Sequence, residues 1–247
     1  MSVDTRFELH QAIVDNQLVL HYQPIVAVAD RALVAVEALV RWRHPTRGIL
    51  PPSQFVAAIE RAGLARDLTL WVLREAILQS AVWRQDRQPL AVGVNLSPEN
   101  LRDAHFQRFL DITLRAVGAP KLLIAELPVA TLTAPEQLES LSLMRQKGIR
   151  VAIDDVVAPV TLSDIPADVV KLGRALVARL GTDPRSRSDA AGIVKTAKEH
   201  GRSVTAVGIE DARAWSILAE MGCDTAQGFA VSPPLSTADL ALWRERR

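Results

Sequence analysis

Leu33-Val34-Ala35-Val36-Glu37-Ala38-Leu39-Val40 is hydrocarbon from end to end except for one carboxylate. An aliphatic run of this length reads as a strand buried on both faces, the kind found in parallel sheets. A charge inside such a strand is costly to bury unless it is paired or ligates a metal. The stretch therefore announces both an interior strand and a functional group. Similar runs recur on either side of it: Leu18–Tyr22, Leu90–Val94, Leu122–Ala125, Val151–Ile153, Val169–Leu172, Val204–Val207 and, weakly, Thr225–Ala226.

A turn follows the first run, and helical patterns separate the later ones. Gln54–Ala62, Leu68–Trp83, Phe106–Val117, Glu136–Lys147, Ser188–His200, Asp211–Met221 and Thr237–Arg246 carry apolar residues at helical spacing. Most of them stop at glycines suited to a helix C-terminus (Gly63, Gly118, Gly148, Gly201, Gly222), and Ser236 is placed to cap the last. Strands alternating with helices imply βαβ units and parallel pairing. About eight such units fit a closed (β/α)8 barrel of roughly 250 residues, with an open doubly wound sheet as the rival. No linker, low-complexity segment or charge block divides the 247 residues. One domain is expected over 1–247: a lead-in helix at 1–17, a barrel at 18–235 and a closing helix at 236–247.

Polar residues gather where the strands end. Gln23, Glu37, Asn95, Glu126, Asp154, Asp155, Lys171, Glu210 and Gln227 all lie at or just beyond the C-terminal part of a run. In a parallel barrel these ends form the face that carries active sites, so residues far apart in the chain are expected at one mouth. Any one strand-end acid reads equally well as a helix cap or a salt-bridge partner; the joint pattern is harder to account for that way. Glu37, Asn95, Glu126 and Asp154 offer only oxygen, which suits Mg²⁺ or Mn²⁺, and no Cys–His spacing suggests zinc. A hard cation beside Lys171 and Arg41 suits a phosphodiester.

Composition narrows the classes further. A net charge of +1 gives no field for nucleic-acid polymers, and Arg41, Arg43, His44 and Arg47 read as a ligand rim plus solvated loop. No segment approaches the roughly 18 apolar residues of a membrane span, and Met1–Asp15 lacks the apolar core of a signal peptide. The single cysteine, Cys223, excludes an internal disulfide and fits a reducing cytoplasm. The tryptophans on helical patterns (Trp71, Trp83, Trp215, Trp243) read as core or interface residues.

Several separated motifs, in order, resemble the EAL family of cyclic-di-GMP phosphodiesterases. They are Tyr22-Gln23-Pro24; Glu37-Ala38-Leu39-Val40-Arg41-Trp42; His44-Pro45, Arg47-Gly48 and Pro51–Phe55; Val94-Asn95-Leu96-Ser97; Ile153-Asp154-Asp155; Gly222-Cys223-Asp224 with Gln227-Gly228-Phe229; and Pro233-Pro234-Leu235. The resemblance implies a TIM-like barrel whose first strand runs antiparallel to the rest, and cleavage of cyclic-di-GMP to linear pGpG with Mg²⁺ or Mn²⁺. It implies a first metal on Glu37, Asn95, Glu126 and Asp154 and a second on Asp155. It gives Lys171 the attacking water, Arg41 the ligand phosphate, and Gln23, Leu39, Gln227 and Pro234 the dinucleotide. Ca²⁺ would fill the site without turnover. Phe7–Asn16 resembles the linker helix that precedes such barrels in fused proteins, and relatives often dimerise near the double aspartate, so a homodimer is open here.

The chain departs from the family in the chemistry. Val129 replaces the second acid of Glu-Ile-Thr-Glu. The loop Val156–Pro159 lacks both glycines of the family's DDFGTG and is shorter. Gly173 replaces the aspartate of Lys-Ile-Asp, and Val207 replaces a metal-binding acid, while Glu210 remains. Loss of general-base help alone costs about 10²–10⁴ in rate, and loss of second-metal stabilisation adds to it. The expectation is a catalytically impaired domain that binds cyclic-di-GMP and signals to a protein partner. The alternatives are an interaction module without nucleotide, and a working phosphodiesterase in which Glu210 or Asp164 substitutes.

Overall fold

The structure, a computed structural model, describes residues 6–85, 89–117, 120–132 and 134–246. A lead-in helix, α1 (Arg6–Val14), precedes a long hairpin of β1 (Leu18–Ala27) and β2 (Leu33–His44). The two strands run antiparallel, with Gln23 opposite Glu37 and Ile25 opposite Ala35. A three-residue strand, β3 (Gly48–Leu50), folds back on the end of β2. It is too short to leave a period-2 signature, and sequence reading sees only the Arg47-Gly48 turn.

From β2 the sheet continues in parallel through β4 (Ala91–Asn95), β5 (Leu123–Pro128), β6 (Arg150–Val156), β7 (Val169–Leu172), β8 (Ser203–Val207) and β9 (Thr225–Gln227). β9 then pairs antiparallel with β1 through Val26↔Ala226. That closes the ring and excludes the open sheet. The barrel has the expected inverted first strand.

Around it lie α2 (Val56–Arg61), α3 (Ala65–Arg84), α4 (Pro98–Arg102), α5 (Ala104–Val117), α6 (Pro135–Gln146), α7 (Arg174–Val177), α8 (Pro184–Glu199), α9 (Ala212–Glu220) and α10 (Thr237–Glu245). The expected stops are present: Gly63 and Gly148 take φ of 72° and 86°, which a side chain would resist. Gly118 lies outside the described residues. Ser236 caps α10, its Oγ accepting from the Asp239 amide at 3.1 Å.

One expectation fails. Residues 157–168, between β6 and β7, hold no helix. Pro159 and Pro166 remove amide donors that a helix would use. The segment is pinned from below instead, where Arg202 Nη2 donates to the carbonyls of Leu162 (2.5 Å) and Ile165 (2.6 Å). Asp168 completes the clamp by accepting from Arg145 Nη2 (2.7 Å) and the Val151 amide (2.9 Å).

The main core lies between barrel and helices. Tyr22 meets Trp83 edge to face with centroids 4.8 Å apart, and Trp42 meets Phe55 at 5.7 Å. Trp71 and Trp83 are buried, while Trp215 and Trp243 pack half-buried against the same core. Among the described residues no helix is long and apolar enough to cross a membrane.

The barrel interior is layered by the period of two that strands impose. Ile25, Ala35, Ala91, Ile124, Ala152 and Val169 form a small apolar cluster of their own. One pleat further toward the mouth, the same strands present Gln23, Glu37, Gly93, Glu126, Asp154 and Lys171. The polar site thus sits directly on an apolar floor.

Candidate functional site

Lys171 is 2% exposed, and its ammonium is the point on which three carboxylates converge. Nζ lies 3.3 Å from Glu37 Oε2 and 3.5 Å from Asp154 Oδ2, and it donates to Glu126 Oε2. Two of the ammonium's three donors make hydrogen bonds, to Glu37 and Glu126, and Asp154 adds an ion pair. Glu37 is held from two further sides: Asn95 Nδ2 donates to its Oε1 at 2.8 Å, and Gln227 Nε2 donates to its Oε2 at 2.7 Å. Gln227 Nε2 also donates to Gln23 Oε1 (2.9 Å), and Gln23 Nε2 donates to the Ser232 carbonyl (3.1 Å). The opposite oxygen of Gln227, Oε1, is buried without a partner.

Three carboxylates face one ammonium, so the cluster would carry two negative charges only with all three acids ionised. The titration behaviour follows. Burial pushes the Glu126 carboxyl up, the neighbouring Glu37 and Asp154 add to that, Lys171 only partly offsets it, and the group settles at about 8. Asp154 is likewise raised, chiefly by burial. Glu37 ends below its ordinary value: burial raises it, but Lys171 and the hydrogen bonds from Gln227 and Asn95 outweigh that. Lys171 is held charged by its three acids against the opposing effect of burial.

A β-bulge brings both aspartates to this point. Ile153 pairs with Val170 and Val156 with Leu172, so Asp154 and Asp155 together oppose Lys171. Asp155 takes the left-handed conformation, φ 54°, and its amide donates to Asp154 Oδ1 at 2.8 Å. Asp154 turns inward as a result, and Asp155 is exposed over the neighbouring strand.

The other expected residues are distributed around this centre. Arg41 is half-buried, with Nη1 donating to the Val40 carbonyl at 2.8 Å. Leu39 and Pro234 are half-buried. A largely apolar recess of about 280 Å³ opens beside Leu39, Asn95 and Ser97, walled by Val56, Leu68, Val72 and Leu96. Glu210 is exposed and pairs with Arg174 Nη2 at 2.6 Å. Val207 lies in register with Gln227 and offers only hydrocarbon. Val129 packs half-buried against the core.

The donors suit a hard divalent cation. Glu37, Glu126, Asp154 and the amide oxygen of Asn95 are all oxygen ligands, and a double positive charge would neutralise the cluster. As they stand, the carboxylates surround the ammonium. Among the described residues, no three Asp, Glu, His or Cys side chains form a closed cation cage.

A profile of the EAL domain matches residues 6–234. The chain belongs to the EAL domain family. It is 33% identical to the cyclic di-GMP phosphodiesterase NbdA of Pseudomonas aeruginosa over 242 residues, covering 94% of this chain and 31% of that protein. It is 31% identical to the cyclic di-GMP phosphodiesterase PdeR of Escherichia coli over 246 residues, covering 96% of this chain and 37% of that one. The EAL chain thus spans about a third of the length of these curated relatives. Among solved structures, the Pseudomonas aeruginosa MucR phosphodiesterase in complex with c-di-GMP superposes with a TM-score of 0.88 at 30% identity, over 95% of this chain and 98% of that one. The FimX EAL domain of Xanthomonas citri, at 21% identity and a TM-score of 0.86, shares the fold over 92% of each chain.

Three participants escape sequence reading. Ser232 contributes only its carbonyl, which no side-chain pattern reveals. Arg174 finds Glu210 through the fold. Gly93 stands inside β4 among the acids, and a glycine in a strand interior is a legible sign of close approach.

Proposed function

We propose that this EAL domain is a cyclic-di-GMP receptor that binds the nucleotide together with one divalent cation and cleaves it very weakly or not at all. The observation that carries the reading is the cluster of Glu37, Glu126 and Asp154 around Lys171, three acids to one base, flanked by Gln23 and Gln227. Glu37, Asn95, Glu126 and Asp154 would hold Mg²⁺, Mn²⁺ or Ca²⁺. A cation there supplies charge neutralisation and polarises a phosphate oxygen.

The chain's own residues do the rest. Arg41 neutralises phosphate from the mouth, and Gln23 and Gln227 offer amide groups to the dinucleotide. The apolar recess beside Leu39 suits a planar base. Lys171 orients whatever oxygen approaches the acids, although two of its donors already go to Glu37 and Glu126 and Asp154 pairs with its charge. Proton acceptance fails at Val207 and Gly173, which carry no acid, and Glu210 is engaged by Arg174. Asp155 is the one acid left at the expected second-metal position. Signal output to a protein partner in the cytoplasm completes the proposal.

A working phosphodiesterase is the second reading, favoured by the names of relatives about a third identical to this chain. The test is chromatography of cyclic-di-GMP incubated with Mg²⁺ or Mn²⁺, with Glu37→Ala as control. The receptor reading expects pGpG no more abundant than in the control. Turnover that Glu37→Ala abolishes would replace it with the phosphodiesterase.

A further inference from the structure

Gly93 stands in the polar layer of the barrel, in register with Glu37 of β2 on one side and Ile124 of β5 on the other. Its backbone does not require glycine, because its φ is outside the left-handed region where glycine is favoured. Glycine in a strand interior has no side chain to pack, so some local approach must explain it. The structure supplies one. A β-carbon at position 93 would lie 2.2 Å from Oε1 of Glu126 and 2.9 Å from its Cδ. The Glu126 carboxylate occupies the volume that the side chain of residue 93 would fill.

The other oxygen of Glu126 accepts from Lys171, and the residue is 1% exposed. The carboxylate is therefore pinned between an ammonium and the bare backbone of β4. What a β-carbon would strike is the far end of one side chain, with no backbone atom among its nearest neighbours. A substitution there moves the acid before it moves the strand.

We propose that Gly93 is a positioning residue for the cation site: the missing β-carbon sets the depth of the Glu126 carboxylate beside Lys171, and with it the site's affinity for a divalent cation. The inference rests on the cation reading above. Supports of a ligand in this sense are worth about 10–100-fold in metal affinity.

The experiment titrates Mn²⁺ by electron paramagnetic resonance into the wild-type chain, Gly93→Ala, Glu126→Asp and the double variant, with circular dichroism and thermal unfolding as controls for folding. Gly93→Ala is expected to weaken Mn²⁺ binding at least about tenfold with the fold retained. The double variant is expected to bind more tightly than Gly93→Ala alone, because aspartate is shorter by one methylene and clears the new methyl. Unchanged affinity in Gly93→Ala, or a double variant that binds no more tightly than Gly93→Ala alone, would overturn the proposal. Metal-free crystal structures decide it separately. In Gly93→Ala the Glu126 carboxylate should retreat to at least 3.0 Å from the new methyl. A carboxylate left in place by a displaced β4 overturns the proposal even if the wild-type chain takes up no Mn²⁺, an outcome that by itself sinks only the cation reading.

Discussion

The Oδ1 oxygen of Asp155 lies over Gly173, where a β-carbon would come within 2.3 Å of it and within 2.7 Å of Val157 Cγ1. The position at which the family carries an aspartate is thus filled from the neighbouring strand. Gly173 keeps the bulge of β6 closed over β7, and the bulge in turn points Asp154 at Lys171. Gly173→Ala should open it. The expected result is a displaced Asp155 in the crystal structure and a lower Tm.

Asp155 holds a left-handed φ of 54° that most residues adopt only at a steric penalty. Asp155→Gly should therefore be neutral or stabilising by up to about 1 kcal/mol in urea denaturation. A clear destabilisation would mean that its exposed carboxylate contributes more to the loop than its backbone strain removes.

Lys171→Met leaves the three acids without their ammonium. Removing one member of a buried ion cluster costs about 3–5 kcal/mol. The variant should lose that much stability in metal-free buffer and recover part of it in Ca²⁺. Equal stability with and without Lys171 would contradict the charge argument.

Glu126 gives the metal-free protein a pH dependence. Its carboxyl is held at about 8 in the fold against 4.5 ordinarily. Between those values the folded state keeps a proton that the unfolded chain has released, so this group's contribution is complete below pH 4.5 and is lost as pH rises toward 8. Thermal unfolding of the metal-free chain should fall over that window, and Glu126→Gln should flatten the fall.

Glu210 pairs with Arg174 on the surface, both being more than half exposed. Glu210→Gln should change stability by less than about 1 kcal/mol and leave nucleotide binding intact. A large loss of binding would restore Glu210 to the site.

The barrel was legible because its strands are unmixed hydrocarbon with polar residues at their ends, and all eight runs appear as barrel strands. Glu37, Glu126 and Lys171 stood out for the same reason: an aliphatic run tolerates a charge only where that charge is paired or ligates a metal. The β6–β7 connection was misread because strand–helix alternation was extended across a segment that has no helical pattern of its own. The role of Lys171 as hub, and the engagement of Glu210 by Arg174, depend on distances between strands and loops that no local pattern encodes. Gly93 was readable in principle, as a glycine where the strand had no need of one.

The most direct test of the central claim is calorimetry of cyclic-di-GMP against the purified chain, once with Ca²⁺ and once with chelator. A receptor with one cation site predicts binding with Ca²⁺ that is lost on chelation and in Glu37→Ala. No heat of binding at high micromolar nucleotide in the presence of Ca²⁺ would contradict it, and would leave the domain as an interaction module that no longer uses the nucleotide.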